Sequence, residues 1–136
     1  MKIFLDANVF VAAVATRGLC ADVLRDVLGH HDLVASEELI VEIDRVLRGK
    51  LAVPEDVAAD AIALIRESAR FSEPSGECDV PIDDPGDRAL VSAALAAGAD
   101  LFVTGDRGIL LVGKLGPMEI VSPRSFWERM RGPVDK

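Results

Sequence analysis

The chain has 136 residues, half of them hydrophobic, and carries a formal net charge of −8. That length suits one domain with a core of its own. Because only five Phe and one Trp are aromatic, that core must be mainly aliphatic. The negative charge excludes a protein that holds nucleic acid by bulk electrostatics. It leaves open a nucleic-acid enzyme whose clustered acids are offset by a metal ion.

The composition also bears on location. No apolar run reaches the roughly 18 residues that a membrane span requires. Lys2 leads straight into the sequence Ile-Phe-Leu-Asp, which is too short and too acidic for a secretory signal. We therefore expect a cytoplasmic protein that does not enter a membrane.

The cysteines and histidines do not form a zinc motif. Cys20 and Cys78 are far apart and in no CxxC arrangement, so two reduced thiols are expected. His30 and His31 are adjacent, and two neighbouring side chains cannot easily face one metal. We expect them to close a helix C-terminus, where positive charge is favourable.

In the first half of the chain, predicted strands alternate with helices. We predict a strand at Lys2–Leu5, helices at Asn8–Ala15 and Ala21–Leu28, a strand at Leu33–Ala35, and helices from Ser36 to about Arg48 and from Pro54 to about Ala69. Gly29 is expected to end the second helix, and Ser36 to cap the third. The last of these helices shows an apolar stripe of Val57, Ala61, Leu64 and Ile65.

The second half continues the alternation. We predict a short strand and loop over Phe71–Asp83, a helix from Asp84-Pro85 to Gly98, a strand at Leu101–Thr104, a short helix after Asp106, a strand at Glu119–Val121 and a helix from Ser122 to Arg131. Alternating strands and helices indicate a parallel sheet between helices. The expected fold is a single α/β domain over 1–136, a three-layer α/β/α sandwich with a mainly parallel sheet of four to five strands.

Four acids stand at informative places in this pattern. Asp6 and Asp106 each follow a buried strand, and parallel strands end at one edge of a sheet, where ligands bind. Glu42 borders the buried face of its helix, and Asp87 lies in the first turn of another helix. Carboxylates about 5 Å apart repel by roughly 3 kcal/mol at an effective dielectric of about 20. A cation would relieve that repulsion.

Each acid also has an ordinary structural role open to it. Asp6 and Asp106 are good helix N-caps. Glu42 can pair with Arg45 three residues on, and Asp87 can complete a capping box. If the acids instead gather at the sheet edge, their oxygen ligands suit Mg²⁺ or Mn²⁺. Such ions commonly serve phosphoryl chemistry.

Four segments in this order carry a family resemblance: Ile3-Phe4-Leu5-Asp6-Ala7-Asn8-Val9, Glu38-Leu-Ile-Val-Glu42-Ile-Asp-Arg-Val-Leu, Asp84-Pro-Gly-Asp87-Arg-Ala-Leu and Leu101-Phe-Val-Thr-Gly-Asp106. Together they resemble the PIN domain, in particular the VapC-like toxins of toxin–antitoxin pairs. The resemblance implies a Mg²⁺- or Mn²⁺-dependent ribonuclease that forms homodimers and is inhibited by a small antitoxin. It also implies that Asp6, Glu42, Asp87 and Asp106 are the catalytic, metal-binding acids, supported by Asn8 and Thr104.

Two positions depart from that pattern. Arg88 stands where many such proteins have Asn, and Gly108 stands where many have a further Asp. We therefore expect one ion, with a second recruited by the substrate. Without that acid, a PIN fold that only binds RNA or an antitoxin remains the alternative. A phosphatase fits poorly because Asp6-Ala7-Asn8 lacks the second Asp of a D-x-D motif, and no G-x-G-x-x-G indicates a nucleotide-binding domain.

RNA binding needs basic residues near the acids. The candidates for a basic rim are Arg17, Arg107, Lys114 and Arg124, although each is equally well read as a solvated surface charge. For the antitoxin, an apolar groove formed by the early helices would suit an amphipathic helix.

Overall fold

A sheet of six strands lies at the centre of the structure, a computed structural model that describes residues 1–72 and 79–132. The strands are β1 (Lys2–Leu5), β2 (Asp32–Ala35), β3 (Arg70–Phe71), β4 (Leu101–Val103), β5 (Lys114–Leu115) and β6 (Met118–Val121). Their order is β3-β2-β1-β4-β6-β5. All neighbours are parallel except β5 and β6. The predicted α/β sandwich with a mainly parallel sheet is confirmed.

The sheet has more strands than the four to five expected because β5 was not predicted. This two-residue strand pairs antiparallel with β6 through a tight turn at Gly116, whose φ of 57° favours glycine. The predicted loop after Phe71 falls largely on residues 73–78, which include Cys78 and lie outside the described residues.

Helices flank the sheet: α1 (Ala7–Ala15), α2 (Leu19–His30), α3 (Glu37–Arg45), α4 (Glu55–Ser68), α5 (Pro85–Ala96), α6 (Arg107–Leu110) and α7 (Pro123–Arg131). A π-helical turn, Val46–Lys50, continues α3. Ser36 caps α3 as predicted, its hydroxyl accepting from the Leu39 N–H at 3.2 Å. Within the described chain no single helix is long and apolar enough to cross a membrane. The α1–α2 pair passes that test together, on length and composition alone, but it is bent by 108°.

Two helix predictions were wrong in detail. Gly29 lies inside α2 rather than ending it, and the chain leaves the helix at His31, which is extended with φ −136°. Of the predicted apolar stripe of α4, Ala61 and Ile65 are buried as expected, whereas Val57 and Leu64 are 37% and 43% exposed. Small residues such as Ala58 face inward instead, which lets α4 lie close against α3.

The middle of the sheet holds the core and determines where a site can form. Phe4 of β1 stacks on Phe102 of β4, with ring centroids 5.3 Å apart, and both rings are fully buried. Strand β1 has β2 on one side and β4 on the other, so the chain order reverses between β1 and β4. Crevices for ligands form at such a reversal, beyond the carboxyl ends of the strands.

Candidate active site

Asp6 leaves the end of β1 and begins α1. Its Oδ1 accepts a hydrogen bond from the Ala7 N–H at 2.8 Å, and its Oδ2 accepts one from the Thr104 hydroxyl at 2.6 Å. The residue is 4% exposed. Burial raises the pKa of the Asp6 carboxyl, and the charges of Asp106 and Glu42 raise it further, while the two hydrogen bonds oppose the rise. Asp6 is therefore both a helix cap and a buried acid.

Thr104 joins the ends of β1 and β4. While its hydroxyl donates to Asp6, it also accepts from the Asp106 N–H at 3.0 Å. Asp106 in turn caps α6, its Oδ1 accepting from the Ile109 N–H at 3.1 Å. Because Thr104 is fully buried, this relay fixes two carboxylates relative to each other.

Asp87 approaches the same place from the first turn of α5. Asp84 caps that helix by accepting the Asp87 N–H at 2.9 Å, and Pro85 opens it, as predicted. The pKa of Asp87 is raised to about 6. Burial is the largest cause, and the negative charges of Asp84, Asp106, Asp6 and Glu42 add to it. The acids at the sheet edge thus act on one another electrostatically.

Glu42 contributes to two features of the structure. It lines the cleft with the other acids, and it also pairs with Arg45, with Arg45 Nη2 at 2.7 Å from Glu42 Oε2 and Nε at 3.2 Å from Oε1. The helical phase that placed Glu42 beside the buried face therefore located it correctly. The Arg45 guanidinium therefore offsets part of the negative charge of the Glu42 carboxylate.

These side chains open onto a cleft of about 720 Å³. Seven carboxyl groups line it: the four predicted acids together with Glu37, Glu38 and Asp84. Glu37 and Glu38 were not among the site residues predicted from the sequence. Glu38 lies one helical turn before Glu42, and that spacing was the signal for its place on the same face.

The donor set suits a hydrated hard cation rather than an enclosed one. In residues 1–72 and 79–132, no three His, Cys, Asp or Glu side chains converge as a direct ligand group. Mg²⁺ commonly uses one or two carboxylates, several waters and substrate phosphates. The chemistry of the cleft, all oxygen donors with mutually repelling charges, fits that mode.

The remaining predicted positions fall in two places. Asn8 lines the cleft and is exposed. The candidates for the basic rim are all exposed, and none is among the residues lining the cleft: Arg17, Arg107, Lys114 and Arg124. Sequence reasoning missed the arginine that does line it, Arg45, because a surface i,i+3 pair looked sufficient to explain it.

The structure shows the contacts of the two residues that depart from the expected pattern, Arg88 and Gly108. Arg88 is half-buried, and its Nε donates to the Ile82 carbonyl at 2.9 Å, which ties α5 to the preceding loop. At Gly108 an added Cβ would lie 3.2 Å from Asp106 Oδ1. A side chain there would therefore press on the acid that caps α6.

The structure is a mainly parallel α/β sandwich with an acidic cleft lined by residues at the carboxyl ends of its central strands, and a sequence comparison identifies the family. The model of the PIN domain matches residues 2–108, so the chain belongs to the PIN-domain family. None of the curated proteins compared with the chain matches it in sequence.

Solved structures share the fold. One is VapBC2 from Rickettsia felis bound to a DNA fragment from their promoter, with a TM-score of 0.65 and 14% identity over 90% of this chain and 98% of that one. Another is VapBC-1 from nontypeable Haemophilus influenzae, with a TM-score of 0.62 and 17% identity over 91% of this chain and 99% of that one. The predicted resemblance to VapC-like PIN proteins is thereby confirmed at the level of family and fold.

Proposed function

We propose that this protein is a metal-dependent endoribonuclease and the toxin of a toxin–antitoxin pair. The observation that carries the proposal is the gathering of Asp6, Glu42, Asp87 and Asp106 on one cleft, where the pKa of Asp87 rises to about 6. Burial and, after it, the charges of the neighbouring acids disfavour the ionised carboxyl, and a divalent cation would stabilise that form. Membership of the PIN family supports the same reading, since the PIN domains of VapC toxins are generally nucleases.

Asp6 and Asp87 would hold the main Mg²⁺ or Mn²⁺, and Asp106 and Glu42 would hold a second, substrate-recruited ion or its waters. When bound, the ion supplies polarisation of the phosphodiester and acidification of water. Asp6 is held in one orientation by Ala7 and Thr104. Asp106 and Glu42 would accept the proton of the attacking water. In-line attack on phosphorus would leave a 5′-phosphate and a 3′-hydroxyl.

Partners follow from the same proposal. We propose RNA as the substrate, with Arg17, Arg107, Lys114 and Arg124 as the rim that guides it toward the cleft. The similar structures are VapBC complexes, which supports a small antitoxin as a partner. A homodimer acting in the cytoplasm completes the proposal.

The test is cleavage of a panel of RNAs by purified protein in the presence of Mn²⁺. We expect the wild type to cleave and Asp6→Asn to be inactive, because the substitution removes a buried charge from the cleft. Asp60→Asn is the matched control, since Asp60 is an exposed acid on α4 that does not line the cleft. Equal cleavage by the wild type and Asp6→Asn would reveal a contaminating nuclease and end the assignment.

A second candidate is a PIN-fold module that binds RNA or an antitoxin without cutting. The observation in its favour is Gly108, which leaves the position beyond Asp106 without a carboxylate. Calorimetry distinguishes the two: tight Mn²⁺ binding that is lost in Asp87→Asn would count against the binding module.

A further inference from the structure

The cleft has a charge imbalance that any RNA enzyme must overcome. Seven carboxyl groups line it, and among the residues the structure describes, Arg45 is the one Lys or Arg that lines it with them. A phosphodiester entering this space carries negative charge toward negative walls. The proposed metal ion answers part of that repulsion. Arg45 is the protein's own positive charge in the same space.

The present partner of Arg45 holds it only weakly. The guanidinium pairs with Glu42 through both Nη2 and Nε, a planar geometry that a phosphate can equally satisfy. The side chain of Arg45 is 69% exposed. Exposed pairs of this kind contribute little to stability and exchange readily, so Arg45 can leave Glu42 for a stronger anion without disturbing the fold.

The nearby arginines have other duties. Arg48, one turn further on, pairs with Asp44 and Glu55 and does not line the cleft. Arg66 of α4 holds Glu37 at 2.9 and 3.1 Å and lies over the ring of Phe71. Arg45 is therefore set apart by position, and Arg48 provides a matched arginine for comparison.

We propose that Arg45 is the phosphate-binding residue of the cleft, exchanging the Glu42 carboxylate for a phosphodiester oxygen of single-stranded RNA. The proposal rests on the proposed function and deepens it. The exchange has a second consequence: it frees Glu42 to face the metal ion when substrate arrives. Arg45 would thus couple substrate binding to completion of the acidic site.

The experiment compares wild type, Arg45→Gln, Arg45→Lys and Arg48→Gln. Fluorescence anisotropy with a labelled single-stranded RNA, in Ca²⁺ to suppress cleavage, gives the dissociation constant at several salt concentrations. Removing one phosphate contact should weaken binding roughly tenfold. It should also reduce the slope of log K against log salt by about 0.7. In Mn²⁺ cleavage assays we expect Arg45→Gln to have a higher KM than the wild type, while its kcat stays within about twofold of the wild-type value.

Manganese binding supplies a readout of opposite sign. Removing a positive charge from the cleft should tighten Mn²⁺ binding about two- to fivefold in Arg45→Gln while RNA binding weakens. A general loss of structure would weaken both. Arg45→Lys keeps the charge but not the planar geometry, so its RNA affinity should be intermediate, and Arg48→Gln should match the wild type.

The outcomes separate the two proposals. If the wild type binds RNA through Arg45 but does not cleave it, the nuclease proposal fails and the phosphate-binding role of Arg45 is retained. Cleavage by the wild type with unchanged RNA affinity and salt slope in Arg45→Gln overturns the role of Arg45 alone. Faster cleavage and tighter RNA binding in Arg45→Gln would also overturn the proposed role of Arg45, because the arginine would then obstruct the cleft rather than bind phosphate in it. Absence of any RNA binding by the wild type overturns both.

Discussion

Replacing Asp87 with Asn should stabilise the metal-free protein and abolish the RNA cleavage proposed for it. The pKa of Asp87 is about 6, against an ordinary value of 3.8. That difference of about 2.2 pH units corresponds to roughly 3 kcal/mol at full strength. Because the carboxyl is partly open to solvent, screening reduces the expected gain to about 1–2 kcal/mol in the free energy of unfolding near pH 7.5.

The gain should depend on pH in a defined direction. The folded state keeps the proton of Asp87 up to about pH 6, whereas the unfolded chain releases it near 3.8. The folded state therefore binds more protons between these values, and the contribution of Asp87 to stability falls as pH rises through this window. The Asn variant lacks this fall, so its advantage over wild type should grow from about pH 4 to about pH 7.

Urea unfolding in EDTA, followed by circular dichroism at about pH 4.5 and about pH 7.5, measures this difference. Asp60→Asn serves as the control and should show no such growth. Added Mn²⁺ should favour the wild type over Asp87→Asn, because only the wild type keeps all four acids for the ion. If Asp87→Asn gains nothing at the higher pH, neither burial nor the neighbouring acids disfavour the ionised Asp87 carboxyl, and the electrostatic argument fails.

Three further substitutions address the relay, the missing acid and the core. Thr104→Val removes the hydroxyl between Asp6 and the Asp106 N–H; urea unfolding should show a loss of about 1–3 kcal/mol. Gly108→Asp supplies a further carboxylate two residues after Asp106, and calorimetry should show tighter Mn²⁺ binding. Phe102→Ala removes a buried ring stacked at 5.3 Å on Phe4, and denaturant unfolding should show a loss of about 3–5 kcal/mol.

Each of these has a matched comparison. Thr104→Ser keeps the hydroxyl and should recover most of the stability; a serine as unstable as the valine would assign the loss to the missing methyl. Gly108→Ala adds the Cβ without the carboxylate, so equal Mn²⁺ binding by both variants would show that position 108 does not face the ion. Phe102→Leu should cost less than Phe102→Ala, and equal losses would contradict the packing argument.

The sequence predicted the central strands well because both faces of them are buried. Ile3, Phe4 and Leu5 form an uninterrupted apolar run, which is typical of a strand covered on both sides, and all three are fully buried. Strand β5 escaped prediction because two residues at an edge, Lys114 and Leu115, carry no periodicity. The prediction that Gly29 ends α2 was wrong because glycine permits a helix to end without requiring it.

The acids show a limit of a different kind. From the sequence, capping and metal binding were competing explanations for Asp6 and Asp106, but in the structure each residue caps its helix and faces the cleft as well. Each carboxylate oxygen has two lone pairs, so an oxygen that accepts one hydrogen bond can still accept another or bind a cation, and the two roles do not exclude each other. The position of Arg45 in the cleft could not be predicted. The spacing of three residues predicts that Arg45 pairs with Glu42, but it does not indicate which surface of the protein the pair lines.

The Thr104 relay has a consequence for when the cleft can come into existence. The hydrogen bond from Thr104 to Asp6 spans 98 residues of sequence, and β1 pairs with β4 in the middle of the sheet. Contacts so distant along the chain form late, after the loop between them has been closed. A ribosome making this chain would expose Asp6 early, yet no complete acidic cleft could assemble until β4 had emerged. Any activity that needs the complete cleft could therefore begin only after β4 and Asp106 had been translated and had joined β1.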